Sequence, residues 1–320
     1  RQYSESTEHV LMNKMDKSLK IIPLGGLGEI GKNMMALEYG DDIVVIDAGV
    51  MFPEDDLPGV DLIIPDITYL KDNVDKVRAI LITHGHEDHT GALPYILRDI
   101  NVPVFAPNLA KGLIEVKLKP HKELKNRSVE PIEPGVPVKI GELTIEWFRV
   151  CHSIPDAMGL VVNTPLGKVV HTGDFKIDHT PVDGNATDLG VLAELTKDGV
   201  LLLLSDSTYA EVPGYTASEK VVGEALDRVV RDSLGRVVVA TFASLISRVQ
   251  QLIDAASNHD RKIAFVGRSM VENVKLALKL GYLYAPTGVI VPINELSNLP
   301  QNRIVIVTTG SQGEPTSALV

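Results

Sequence analysis

The run Thr83-His84-Gly85-His86-Glu87-Asp88-His89 sets four metal-ligating side chains within six residues, directly after the apolar stretch Ala79-Ile80-Leu81-Ile82. Few purely structural roles need that density of ligands, so the fold must deliver this strand end to a polar site. Imidazole with carboxylate suits borderline cations such as zinc, with manganese behind it, and differs from the all-oxygen sets of magnesium or calcium. His84 and His86 alternate as residues leaving a strand do, so both point to one side. Asp88 and His89 are expected in a tight turn that opens a helix at Thr90. There Gly91 to Arg98 has helical apolar spacing, and Pro94 is tolerable in a first turn. Two ligand pairs facing different ways point to two metals.

At 320 residues the chain has room for two domains or one large layered domain with a sizeable core. Its single cysteine, Cys151, allows no internal disulfide and points to a reducing compartment, so a cytoplasmic location is expected. No apolar stretch approaches the roughly 20 residues of a membrane span, and no membrane partner is expected. Residues 1–18, polar and charged, read as a flexible N-terminal arm. The net charge of −11 argues against coating polyanions by charge alone, because such binding rests on Lys and Arg displacing counterions. A metal-lined groove would still supply positive charge where an anionic substrate reacts.

Lys20 to Leu24 reads as a strand entering Gly25-Gly26-Leu27-Gly28-Glu29-Ile30-Gly31, a formal match to the dinucleotide-binding fingerprint. The fingerprint needs a helix next, whereas Asn33 to Tyr39 is followed by the turn Gly40-Asp41-Asp42 and the strand Ile43 to Ile46. A hairpin fits better, with the glycines in a loop close to the metal site. Asp47, at the end of that strand, is either a plain strand-end cap or, in the preferred reading, the partner that orients a metal-bound histidine. Asn101 to Val150 reads as short strands between Pro and Gly turns, an antiparallel arrangement.

Two more strand ends carry ligand types, His152 after Arg149-Val150-Cys151 and Asp174 after Val169-Val170-His171. Asp174 has two oxygens and suits a bridge between cations. Cys151 alternates away from His152 into the core. His171 either faces away or supports the ligands, and His9, His121, His179 and His259 have no partner at ligand spacing. Val200 to Leu204 reads as a buried strand ending at Ser205-Asp206-Ser207-Thr208. From Ala217 helices and strands alternate: helices near Ser218 to Leu234, Ser247 to Asn258 and from Met270, and strands at Arg236 to Phe242, Lys262 to Val266 and Arg303 to Val307. That is a parallel α/β unit, with a boundary near Tyr209 to Thr216.

Together, the His-x-His-x-Asp-His run, Asp47, His152 and Asp174 resemble the metallo-β-lactamase fold. Asp206 leading into an α/β insert resembles its nucleic-acid-processing branch, β-CASP. Within that branch, Pro23 to Asn33, His152 to Asp156, Gly267-Arg268-Ser269-Met270 and Thr309 to Pro315 resemble bacterial ribonuclease J. The resemblance runs from about Lys20 to the last residue. It implies an α/β fold, a metallo-β-lactamase αββα sandwich over 19–210 with an inserted parallel α/β β-CASP domain over 211–320, incomplete here.

Carried onto these residues, the resemblance makes His84, His86 and His152 ligands of one zinc, Asp88 and His89 ligands of a second, and Asp174 the bridge. Asp47, Asp88, Asp174 and Asp206 become the catalytic carboxylates, and Mn2+ or Mg2+ is admitted in place of Zn2+. The implied activity is hydrolysis of RNA phosphodiesters by in-line attack of hydroxide, as 5′-to-3′ exonuclease and endonuclease in mRNA decay and rRNA maturation. Gly310, Ser311 and Gly313 offer donors without bulk, and Arg268 with Ser269 at a strand-to-helix turn can hold a phosphate, such as a 5′-monophosphorylated RNA end; the plainer reading is that these segments only make tight turns. A homodimer or tetramer and RNA-decay partners are implied for the complete protein. The family's later histidine motifs and dimerisation domain have no counterpart in the chain, and Ala243 to Arg248 replaces a stretch where relatives often carry Asn and His. The competing readings are a thioester or lactone hydrolase on the same fold, which would not need the insert, and an RNA-binding scaffold with one structural zinc, for which the ligands are too many.

Overall fold

The structure, a computed structural model, describes residues 17–53 and 57–310. The arm expected over 1–18 lies outside these, apart from its last two residues.

Three sheets order the chain. The first runs β1 (Leu19–Gly25), β2 (Met34–Tyr39), β3 (Asp42–Ile46), β4 (Val77–Leu81), β5 (Val104–Ala106) and β6 (Val129–Pro131), each beside the next. The hairpin expected in place of a nucleotide-binding helix is present: β2 pairs antiparallel with both β1 and β3. From β3 onward the strands pair in parallel. The second sheet has the order β11-β10-β9-β8-β7, built from β7 (Val138–Ile140), β8 (Leu143–Arg149), β9 (Met158–Thr164), β10 (Gly167–His171) and β11 (Leu202–Leu204).

Alternation along these strands explains why the sheets stack. Leu37, Tyr39, Val44, Ile46, Ala79 and Leu81 on one sheet share a core with Ile145, Trp147, Leu160 and Val162 on the other. Their neighbours Ala36, Ile43, Val45 and Ile80 turn to the opposite face, under helices. Those helices are α1 (Thr68–Asp72), α2 (Glu87–Thr90), α3 (Leu93–Asp99) and α4 (Asn108–Leu118). On the outer face of the second sheet, Phe148, Val150, Val161 and Val170 join one continuous core with the C-terminal α/β unit. The layers are those of the expected sandwich.

After α5 (Leu189–Thr196) and β11, the chain forms α6 (Glu219–Asp232), β12 (Val237–Ala240), α7 (Ile246–Asn258), β13 (Lys262–Val266), α8 (Arg268–Leu280) and β14 (Ile304–Thr308). The three strands pair in parallel in the order β12-β14-β13, as the alternating pattern predicts.

Three local expectations are corrected. The helix predicted from Thr90 begins at Glu87, breaks at Gly91 and resumes at Leu93, so Asp88 and His89 lie in a helical turn. Between Asn101 and Val150 the chain is not simply antiparallel: it holds the helix α4, and β5 and β6 extend the first sheet in parallel. Val200 to Leu204 is not a buried strand. Only Leu202–Leu204 is extended, it pairs with β10 alone, and Leu201 and Leu203 remain 53% and 58% exposed.

Candidate metal centre

The ligand types gather because strand ends of both sheets open on one edge. Asp47 follows β3, the His84 to His89 run follows the parallel neighbour β4, His152 lies in the β8–β9 connection, and Asp174 follows β10. A backbone bond from Met158 N–H to the Thr83 carbonyl, 3.0 Å, ties the second sheet to the end of β4.

Helix α4 supports the run along its length. The Lys117 ammonium donates to Glu87 (2.6 Å) and to the Thr90 hydroxyl (3.0 Å). Nearer its start, Leu113 and Ala110 press on Gly85, where a Cβ would lie 2.6 Å from Leu113 Cδ1. A side chain at Gly85 would have to displace the Leu113 tip, so glycine lets the run lie close against the helix.

His84 Nε2 lies 3.0 Å from His86 Nδ1, and His152 Nε2 lies 3.1 Å from that same atom. His84 Nδ1 is engaged by the Thr83 hydroxyl at 3.0 Å, which leaves its Nε2 as a lone pair directed into the cluster. Burial first, then the neighbouring rings, hold His84 and His86 well below the ordinary histidine pKa, so both are neutral. Burial also lowers His152. Neutral nitrogens this close repel unless a proton or cation lies among them. Zn–N bonds of about 2.0–2.1 Å at tetrahedral angles would hold the nitrogens about 3.3 Å apart. The donor set therefore fits a borderline divalent cation.

A second group shares His84. One ring nitrogen of His84, a nitrogen of His89 and an Asp174 oxygen lie within 4.8 Å of one another. His89 Nε2 is 3.3 Å from Asp174 Oδ2 and 3.6 Å from Asp88 Oδ2, and Asp174 Oδ2 is 3.8 Å from His152 Nε2. Asp174 thus stands between the two groups. On the far side of the ring, His89 Nδ1 donates to Asp47 Oδ2 at 2.7 Å. Asp47 also accepts from the Thr83 amide and hydroxyl, so one buried carboxylate fixes both the strand end and the ring. Burial opposes charge on His89, but Asp47 and Asp174 outweigh it and raise its pKa well above the ordinary value. Burial likewise works against the Asp174 carboxylate, yet His89, His152 and His86 hold it below the usual range. Asp88 is pushed up, chiefly by burial.

Asn33, which the sequence reading did not single out as a site residue, belongs to the cluster. Its amide Nδ2 lies 3.3 Å from Asp88 Oδ2 and 3.1 Å from His89 Nε2. Asn33 N–H donates to the Asp88 carbonyl, and the Asn33 carbonyl accepts from Gly49 N–H, each at 3.0 Å. The glycine loop that precedes Asn33 therefore ends against the cluster. His171, left between two placements, lies on the site side, where Asp47, Asp174 and His89 act on it; its Nδ1 accepts from Gly173 N–H. Cys151 is buried, its thiol pushed up to about 11 chiefly by burial.

Asp206 does not join either ligand group. Its Oδ1 caps Thr208, and its Oδ2 accepts from Phe175 N–H at 3.4 Å, one residue beyond Asp174. Arg268 and Ser269 are exposed at the first turn of α8, beyond β13, and Gly310 follows β14 with φ 113°. All three lie at the carboxyl edge of the parallel sheet, where open α/β sheets take ligands. Ser311 and Gly313 lie outside the described residues.

Two family models cover most of the chain. Residues 27–209 match the one described as "Metallo-beta-lactamase superfamily" and residues 234–320 the one described as "Ribonuclease J, beta-CASP domain". The chain is 47% identical to ribonuclease J of Synechocystis over 309 residues, 96% of this chain and 48% of that protein. It is 46% identical to ribonuclease J 1 of Streptococcus pyogenes over 299 residues, 93% and 53% respectively. With ribonuclease J of Helicobacter pylori the figures are 47% over 320 residues, 99% and 46%. The chain thus spans about half the length of the curated relatives it matches. Among solved structures, one titled as a protein of unknown function from Enterococcus faecalis superposes with a TM-score of 0.66 at 16% identity, covering 91% of this chain and 77% of that one. That likeness concerns the fold.

Proposed function

The chain belongs to the metallo-β-lactamase superfamily, in its ribonuclease J branch, and from that membership we propose that it is the catalytic portion of a zinc-dependent ribonuclease acting 5′-to-3′ and internally on RNA in mRNA decay and rRNA maturation. The observation that carries this reading is the pair of ligand groups sharing His84 beside Asp174, next to an insert that matches the ribonuclease J model.

In this reading His84, His86 and His152 hold one cation, and Asp88 and His89 hold a second. Asp174 reaches both. Bound there, two cations act as Lewis acids toward a phosphoryl group and as a source of nucleophile at neutral pH. The chain's own residues do the positioning. Thr83 fixes the His84 tautomer from behind, and Asp47 anchors Nδ1 of His89, so that the opposite nitrogen of each ring faces the cluster. The Asn33 amide holds Asp88 against His89. Asp206, by anchoring Phe175, steadies the segment that presents Asp174.

Arg268, Ser269 and Gly310, with Ser311 and Gly313, form the proposed seat for RNA phosphate, a 5′-monophosphate in particular. A guanidinium and the free N–H groups of a helix start supply charge-assisted donors there. The same reading places residues 19–210 and 211–320 as the two domains, and the whole protein in the cytoplasm as a homodimer or tetramer. No helix among the described residues is long and apolar enough to cross a membrane.

Metal analysis of the purified full-length protein, paired with cleavage of end-labelled RNA, tests the proposal. About two zinc equivalents and RNA hydrolysis that His86→Ala and Asp88→Ala abolish are expected. Near-normal RNA turnover by either variant would defeat the assignment, and turnover of thioesters or lactones in place of RNA would favour the small-molecule reading.

A further inference from the structure

Asp156 lies four residues beyond His152, in the β8–β9 connection, and does not reach the ligand cluster. Its Oδ2 accepts two hydrogen bonds from different parts of the chain. One comes from Leu109 N–H at 3.0 Å, in the first turn of α4. The other comes from the Tyr282 hydroxyl at 2.8 Å, just past the end of α8. The residue adopts φ 69°, a left-handed conformation that a side chain of this kind tolerates better than most. Burial raises its pKa, against the pull of the two donors.

The elements joined here are those that set the ligands. Asp156 satisfies an orphan N–H of the helix whose Ala110 and Leu113 press on Gly85, between His84 and His86. Ile154, in the same connection, also reaches Gly85. From the other side, Leu276 of α8 packs on Gly112 of α4, where a Cβ would lie 2.9 Å from it. One carboxylate oxygen therefore links the loop of His152, the helix beneath His84 and His86, and the α/β insert.

Resting on the metal-site reading above, we propose that Asp156 and Tyr282 are positioning residues: Asp156 holds the His152 loop to α4 through Leu109 N–H and to the insert through the Tyr282 hydroxyl, so that the seating of the insert governs the geometry of the three-histidine group. The insert then acts on the chemistry as well as on RNA. A displacement of α8 that breaks the Tyr282 bond lets His152 drift from His86, and the cation site loosens.

The test uses cobalt(II) as a visible probe in the full-length protein, with Asp156→Asn and Tyr282→Phe. Asparagine keeps the left-handed backbone, but its neutral oxygen accepts from Leu109 N–H and the Tyr282 hydroxyl more weakly than a carboxylate does, and phenylalanine keeps the packing while removing the Tyr282 bond. Each variant is expected to bind cobalt on the order of tenfold more weakly, the lower range for residues that hold metal ligands. The ligand-field absorption should shift, and kcat on RNA should fall with KM unchanged. Unaltered cobalt affinity and spectrum, even with lowered stability, would overturn the proposal while leaving the metal centre intact. Failure of the unmodified protein to take up cobalt would remove the metal centre and this inference with it. If Asp156→Asn does not fold, Tyr282→Phe decides by the same readings.

Discussion

Asp47 accepts a hydrogen bond from His89 Nδ1 at 2.7 Å and does so from a left-handed backbone conformation, φ 60°, in which an aspartate is uncommon. The carboxylate is almost wholly buried and also accepts from the Thr83 amide and hydroxyl. Strain of this kind persists where surrounding bonds over-determine it, and here they hold the His89 ring in one orientation.

Asp47→Asn should keep the Thr83 contacts and weaken the hold on His89. Metal affinity and RNA turnover are each expected to fall roughly 10- to 100-fold, the usual cost of losing a ligand's outer partner. Competition titration with a chromogenic chelator measures the first. Unchanged affinity in the Asp47→Asn variant would remove Asp47 from the centre.

Acid should destabilise the metal-free protein, and the sign follows from the histidines. His84 and His86 are held neutral in the folded chain, chiefly by burial, and His152 is lowered for the same reason. Unfolded, each takes up a proton near pH 6.5. Below that pH the unfolded state binds more protons, so stability falls as pH falls. His89 has the opposite shift: its contribution is present below pH 6.5 and is lost only as pH rises through its raised folded pKa. In the window from about pH 6.5 to 5, His89 is charged in both states and does not oppose the loss. Urea midpoints of chelator-treated protein should therefore drop across that window, and a flat or rising midpoint would contradict the neutral assignment.

How much of this was legible in the chain differs by kind of feature. His84, His86, Asp88, His89, His152 and Asp174 were readable because each follows an apolar run or its tight connection, and strand ends of stacked sheets share an edge. Asn33 was not, since its partners lie 55 and 56 residues away and a lone Asn after glycines signals only a turn. The helix Asn108–Leu118 was hidden by Gly112, whose reason is tertiary: a side chain there would strike Leu276 of the insert. Val200 to Leu204 misled in the other direction. An unbroken apolar run reads as a strand covered on both faces, whereas Leu203 is exposed on a short strand paired on one side only and Leu201, just before it, is exposed as well.

The exposed start of α8 yields a prediction about RNA ends. Arg268 and Ser269 offer a guanidinium, a hydroxyl and helix N–H groups, and 5′-monophosphorylated RNA should be degraded faster than the same RNA with a 5′-hydroxyl. Arg268→Ala should cut the preference by about tenfold, corresponding to roughly 1.5 kcal/mol for a hydrogen bond to a charged group. Initial rates on the two RNAs with both proteins test this. Equal rates in the unmodified protein would remove the 5′-phosphate seat, and a preference that survives Arg268→Ala would place it elsewhere.

Gly49 shows how little room the fold leaves around the second ligand group. A Cβ there would lie 1.5 Å from the Asp88 carbonyl oxygen and 2.8 Å from the Asn33 nitrogen, both backbone atoms. Those atoms are themselves bonded at 3.0 Å, so alanine must force apart the segments that carry Asp88 and Asn33. Gly49→Ala is expected to cost about 3 kcal/mol, the upper part of the range for single substitutions, and to weaken metal binding at Asp88 and His89. Gly28 provides the comparison, with φ +73° and nothing within 4 Å of a built Cβ. Alanine there should cost only about 1 kcal/mol of backbone strain. Chemical denaturation of both variants decides the matter: similar losses would mean that the crossing at Gly49 relaxes without disturbing Asp88.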